Sequence, residues 1–259
     1  MHNDNPIGVF DSGFGGLSIW RVLRRVLPGE SIVYLGDGKN CPYGDRTREE
    51  ICGFADEAVE ALLARGCKLI VVACNTATAM AVGYLREKYA DIPFVGLEPA
   101  VKPACLRTRS GVVGVLATAR SFDGDHFRRT AAAYADKVKI LTAVGEGFVE
   151  AVESDAEDTP ETEALVRRAM QPMIDAGADG IVLGCTHYPF LRRVMERVVE
   201  GRGIEIIDSG EAVARHTADL LDKHGLRASA GHTPAYEFIT FADEAYARRL
   251  EAKALADDI

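Results

Sequence analysis

Short, wholly apolar runs alternate along this chain with stretches in which apolar residues recur every three or four positions. Residues 7–10, 32–35, 69–73 and 94–97 have the length and continuity of strands buried on both faces. Between them, 17–27, 48–64 and 77–89 carry helical spacing. Trp20, Leu23 and Leu27 mark the apolar stripe of the first, and Ile51, Phe54, Ala58 and Leu62 that of the second. Strand and helix in strict alternation predict parallel sheets flanked by helices.

The pattern then starts again. Residues 112–116, 138–141 and 180–183 read as strands, with helices over 121–135, 161–176 and 188–199. The run Ile7-Gly8-Val9-Phe10-Asp11-Ser12-Gly13 is matched by Val113-Gly114-Val115-Leu116-Ala117-Thr118-Ala119. Likewise Leu69 to Ala79 (LIVVACNTATA) is matched by Gly180 to Phe190 (GIVLGCTHYPF). Two related half-chains account for this, with a boundary at Glu98-Pro99, where proline suits an interdomain connection. A tail from about 210 holds a helix (211–221), a strand (236–241) and a last helix (244–254), which packs back on the first half. The expected domains are therefore 1–98 with 210–259, and 99–209.

Composition narrows the function. The chain has 259 residues, 47% hydrophobic and 27% charged, with a formal net charge of −9. An acidic balance argues against a nucleic-acid surface and against attraction to anionic lipids. The start, MHNDNPIGVF, has neither a basic nor an apolar signal region, and no apolar run is long enough to span a bilayer. A cytoplasmic protein is expected. Six cysteines occur without a Cys-x-x-Cys pair, so neither a zinc site nor a disulfide framework is expected.

Two of those cysteines stand apart. Cys74 and Cys185 occupy matching places in the half-chains, each at the C-terminal end of a strand and just before a helix start. Ligands in open α/β sheets bind at that end. Cys52, Cys67 and Cys105 read as small buried hydrophobes. If the halves face each other, the two thiols flank one cleft, which suits inversion of a carbon centre by a base on one side and an acid on the other. A free thiol is only a few per cent ionised at neutral pH, and a helix end contributes about 0.3–1 kcal/mol, so each needs a titratable neighbour. Asp11 is placed for Cys74, and His187 and Glu153 for Cys185. Asp11 and Ser12 are equally suited to capping the first helix, and Glu153 to being a surface charge. Gly13-Phe14-Gly15-Gly16 fits neither a dinucleotide fingerprint, since residue 18 is Ser18, nor a P-loop. These glycines suit close backbone approach to a small anion. Pro42-Tyr43-Gly44 reads as a turn.

The blocks Ile7-Gly8-Val9-Phe10-Asp11-Ser12-Gly13-Phe14-Gly15-Gly16, Cys41-Pro42-Tyr43-Gly44, Ala73-Cys74-Asn75-Thr76-Ala77 and Gly184-Cys185-Thr186-His187-Tyr188-Pro189 closely resemble the glutamate racemases, in order and spacing. The resemblance runs from about residue 6 into the tail. It implies a pseudo-symmetric pair of α/β domains with the active site in the interdomain cleft. It also implies interconversion of L- and D-glutamate without pyridoxal phosphate, metal or nucleotide, and a homodimer. In that reading Cys74 and Cys185 are the acid/base pair, Asp11 assists Cys74, and His187 and Glu153 assist Cys185. Asp11, Ser12, Tyr43, Gly44, Asn75, Thr76, Thr186 and His187 hold the substrate. Two positions depart from the family pattern. Glu150-Ala151 stands where Pro-Leu is usual before the acid, and Gly38 where a small hydroxyl residue often follows the Asp of the second strand. An aspartate or hydantoin racemase would keep both cysteines. A non-catalytic two-lobed amino-acid-binding protein would need neither.

Overall fold

The structure is a computed structural model that describes residues 3–256. Nine strands occur among them: β1 (Ile7–Asp11), β2 (Ile32–Gly36), β3 (Leu69–Val72), β4 (Phe94–Gly96), β5 (Val112–Ala117), β6 (Lys139–Val144), β7 (Gly180–Gly184), β8 (Glu205–Ile207) and β9 (Tyr236–Thr240). They form two sheets, in the orders β4-β3-β1-β2-β9 and β6-β5-β7-β8, and every pairing is parallel. The chain divides into two compact units, Met1–Leu97 with Gly210–Asp258, and Glu98–Ser209.

The internal repeat of the sequence is a repeat of topology. The order β2-β1-β3-β4 in the first unit recurs as β6-β5-β7-β8 in the second. Gly8 lies opposite Ile70, and Gly114 opposite Ile181. A Cβ on Gly8 would come within 2.7 Å of Ile70 Cδ1, and one on Gly114 within 2.4 Å of Met173 Sδ. The bare backbone at both positions leaves room for a neighbouring apolar side chain to pack on the central strand.

In the first unit, helices Arg48–Leu63 and Asn75–Lys88 cover one sheet face, closing a core of Phe10, Leu35, Ile51, Leu62, Val72 and Leu85. The start of Arg48–Leu63 is fixed by a capping box between Thr47 and Glu50. Trp20, on the helix Leu17–Val26, meets Tyr236 and Phe238 of β9 and so ties the C-terminal stretch to the first sheet. In the second unit Val101, Val113, Val115, Phe127 and Val182 form the corresponding core.

Differences from the sequence reading are local. The helix expected over 121–135 is two, Ala119–Asp123 and Asp125–Tyr134, because Gly124 is extended (φ −64°, ψ 133°). Strand β8 was not anticipated. With three residues, one of them exposed, it carries too little periodicity to be seen. Helices Val101–Arg107 and Phe148–Glu153 escaped for the same reason of length. Among the described residues no helix is long and apolar enough to cross a membrane.

Candidate active-site residues

Strand ends of the first unit gather one group of the expected residues. Asp11 is the last residue of β1, Cys74 follows β3 by two positions, and Tyr43 opens a 3-10 turn (Tyr43–Asp45) after β2. Asp11, Ser12, Tyr43, Cys74, Asn75 and Thr76 are all buried, and Gly44 is half-buried. Cys74 is the N-cap of Asn75–Lys88: its sulfur accepts from the Ala77 N–H at 3.4 Å and its thiol donates to Ser12 Oγ at 3.7 Å. The unpaired N–H groups and dipole of a helix N-terminus favour negative charge there, so this sulfur sits where a thiolate is supported. Asn75 adds a buried amide Nδ2 with no hydrogen-bond partner among the described residues. A buried donor left unmade costs about 1–3 kcal/mol, which a ligand's acceptor would recover.

Asp11 is not a helix cap. The helix Leu17–Val26 has Gly16 at its N-cap with no side-chain cap bond, and the Asp11 carboxylate accepts instead from the Gly13 N–H at 3.0 Å. The glycines also have a packing role beyond the expected anion approach. A Cβ on Gly16 would lie 2.6 Å from Asp11 Cβ and 2.8 Å from Tyr34 Oη, which itself donates to Gly13 O at 2.7 Å.

Sequence reasoning missed Asp37. It follows β2 directly and is fully buried, and its carboxylate accepts from Tyr43 Oη at 2.7 Å and from Asn40 Nδ2 at 2.9 and 3.1 Å. The phenolic proton of Tyr43 is therefore committed to Asp37. Burial, and then the Asp37 charge, hold that phenol far above its ordinary titration range. Any grip by Tyr43-Gly44 on a substrate falls to the backbone. A single aspartate after a strand has no sequence signal that separates it from a turn residue.

The second unit gathers Cys185, Thr186, His187 and Glu153. Cys185 Sγ lies 3.8 Å from His187 Nδ1, and His187 Nε2 lies 2.7 Å from Glu153 Oε1. His187 and Thr186 are buried, and the Glu153 side chain is only 17% exposed, so Glu153 is no solvated surface charge. Its helix, Phe148–Glu153, is docked on the Tyr188–Leu191 turn by an edge-on contact of Phe148 with Tyr188 (centroids 5.0 Å, 70°). That contact brings the carboxylate to the histidine.

One expectation is corrected here. No α-helix begins at Cys185: the chain enters the 3-10 turn Tyr188–Leu191, and the helix starts only at Arg192. An α-turn would need an N–H on residue 189 to reach Cys185 O, and Pro189 has none. The Cys185 carbonyl accepts from Tyr188 N at 3.1 Å instead. Cys74 thus has a helix N-terminus beside it, whereas Cys185 has an imidazole backed by a carboxylate. Cys52, Cys67 and Cys105 differ again. Burial pushes the Cys67 thiol up to about 12, and it raises Cys52 and Cys105 as well.

Two buried thiols at equivalent strand ends, each beside polar groups, are the equipment of a proton-transfer isomerase. The chain belongs to the Asp/Glu/Hydantoin racemase family, which matches residues 15–217. It is 47% identical to the glutamate racemase of Herpetosiphon aurantiacus over 94% of this chain and 95% of that one. The glutamate racemase isoform RacE1 of Bacillus anthracis superposes with a TM-score of 0.87 at 32% identity, covering 100% of this chain and 96% of that one. The glutamate racemase of Francisella tularensis, solved with D-glutamate, has a TM-score of 0.83 at 26% identity, covering 99% and 95%.

Proposed function

We propose that this chain interconverts L- and D-glutamate, with Cys74 and Cys185 as the two acid/base residues. The observation that carries the reading is the placement of these thiols at equivalent strand ends of a duplicated sheet, two residues after β3 and one after β7. Racemisation needs a base to take the α-proton from one face and an acid to return one to the other. Two like residues exchange those roles as substrate handedness changes. For one enantiomer Cys74 acts as thiolate and Cys185 as thiol, and for the other the assignment reverses.

Each thiol has its own support. Asp11, Ser12 and the helix N-terminus serve Cys74. His187, held by Glu153, serves Cys185, and can take the thiol proton or stand as a cation beside the thiolate. Asn75, Thr76, Thr186 and the backbone of Tyr43-Gly44 supply neutral donors for the substrate carboxylates. A glutamate racemase supplies D-glutamate for bacterial peptidoglycan, and the six free cysteines suit the reducing cytoplasm. A homodimer is proposed on the family resemblance, and a concentration-independent monomer in sedimentation overturns it.

Circular dichroism of L-glutamate with purified protein and no added cofactor tests the reading. Decay of the signal to zero, and the mirror-image decay from D-glutamate, is the expected result. Turnover of aspartate with none of glutamate moves the substrate, and optical stability of every amino acid refutes the activity.

A further inference from the structure

We propose that Asp37 is a positioning residue of this racemase: its buried carboxylate locks the 37–45 loop, and through Tyr43 fixes the side of the site nearest Asp11 and Cys74. The proposal rests on the functional reading above and concerns how the substrate-holding loop keeps its shape.

Burying a carboxylate is costly unless it is paired and hydrogen-bonded. Asp37 has no cation within ion-pair distance among the described residues; its side-chain partners are the neutral Tyr43 hydroxyl and Asn40 amide. A neutral residue at this position would be less costly to bury, so the charge is best accounted for by what it holds. Both donors come from the loop that follows β2, and both converge on one anion. Hydrogen bonds to an ionised acceptor are shorter and about twice as strong as neutral ones, and two of them leave the loop few alternative conformations. The backbone continues the clamp. Asp37 N donates to Asp11 O at 2.9 Å, and Asn40 N donates to Asp37 O at 3.3 Å. The loop is thereby registered on the strand end that carries Asp11. The Tyr43 ring is fully enclosed and packs on Phe54 (centroids 5.5 Å), so anchoring its hydroxyl sets the residue that precedes Gly44. With its proton spent on Asp37, Tyr43 cannot turn its hydroxyl toward a ligand as a donor.

Asp37→Asn tests this. At the Oδ1 position the new NH2 faces Asn40 Nδ2, itself a donor, and at the Oδ2 position it faces both Asn40 Nδ2 and the Tyr43 hydroxyl. In either orientation at least one hydrogen bond to this side chain is lost. A loop that holds substrate equally in ground and transition states acts on KM, so KM for glutamate should rise about tenfold with kcat changed less than about threefold. Tyr43→Phe should shift KM in the same direction, and the double variant should be no worse than Asp37→Asn, because both cut the same link. A fall in kcat of about 100-fold at constant KM would place Asp37 in the chemistry and overturn the proposal. Kinetic constants equal to wild type in both variants would overturn it too. Should Asp37→Asn fail to fold, Tyr43→Phe and Asn40→Ala keep the carboxylate, and unchanged KM in both refutes the clamp. An active wild type with unaltered variants removes this proposal alone. A wild type that racemises no amino acid removes the functional reading and this proposal with it.

Discussion

Glu153 Oε1 and His187 Nε2 lie 2.7 Å apart although 34 residues separate them along the chain. The other ring nitrogen of His187 faces Cys185 Sγ at 3.8 Å. One imidazole therefore links a carboxylate to a thiol, an arrangement that orients the ring and offers a proton route at the sulfur. Cys74 is itself the N-cap of Asn75–Lys88, its sulfur accepting from the Ala77 N–H at 3.4 Å. The two thiols therefore have different surroundings, a helix N-terminus for Cys74 and an imidazole for Cys185.

That asymmetry is measurable. L- and D-glutamate have equal free energy, so any variant must lower kcat/KM by the same factor in both directions, while the two kcat values are free to diverge. His187→Asn should lower kcat/KM by about 10²–10³ and change the ratio of the two kcat values. Glu153→Gln keeps an acceptor for the ring but loses its charge, and should cost about tenfold. Rates near wild type for His187→Asn would remove the histidine from the proton path.

Lys68 and Glu30 form an ion pair at 2.6 Å with side chains 1% and 4% exposed. Lys68 also donates to Asn3 O at 2.6 Å, and Glu30 accepts from Ala228 N at 3.0 Å, so the pair joins four chain segments. Removing one partner strands a buried charge. Lys68→Met should cost about 3–5 kcal/mol, and Lys68→Met with Glu30→Leu clearly less. Urea unfolding of the two variants checks the order.

The structure supplies a reason for glycine at position 38. A Cβ there would lie 2.3–2.6 Å from ring atoms of Tyr246, whose ring stacks on Phe14 at 4.4 Å. Gly38→Ser should therefore destabilise by about 1–3 kcal/mol through overpacking. The same change in a Tyr246→Ala background should cost little. Equal costs in both backgrounds, read from thermal melts, would contradict the steric account.

Asp179 ties the turn before β5 to the strand that carries Cys185. Burial alone would raise its pKa, but hydrogen bonds from Thr108 Oγ1 and the Ser110 and Arg109 N–H groups outweigh this and hold it at about 2, against an ordinary 3.8. A depressed carboxylate pKa contributes stability that is present above the unfolded value and lost as pH falls through the folded one. After discounting for partial exposure, Asp179→Ala should cost about 1–2 kcal/mol near pH 7. The difference in melting temperature should shrink between about pH 4 and pH 2. A difference independent of pH would show that the charge is not what matters.

Much of this was readable from the chain because strands buried on both faces are continuous apolar runs, and the flanking helices repeat their own period. The duplicated blocks around Gly8 and Gly114 also align directly in sequence. What was left open, as for Glu153, or escaped, as for Asp37, depends on contacts between distant residues. Glu153 becomes a partner of His187 only because Phe148 packs on Tyr188. Asp37 becomes a buried anchor only because Tyr43 and Asn40 fold back onto it. The helix expected at Cys185 failed on a local rule within reach, the missing N–H of Pro189.

The central claim is that two thiols act on one carbon, and isotope exchange in heavy water tests it most directly. L-Glutamate is incubated with the protein in D2O, and at low conversion the α-position of each enantiomer is read by NMR after separation. A two-base mechanism predicts deuterium in the D-glutamate formed while the remaining L-glutamate keeps its protium, and the reverse when the reaction starts from the D enantiomer. Deuterium appearing equally in recovered substrate and product, or protium carried over into product, would mean that one group serves both faces, and the assignment of Cys74 and Cys185 as a pair would fall.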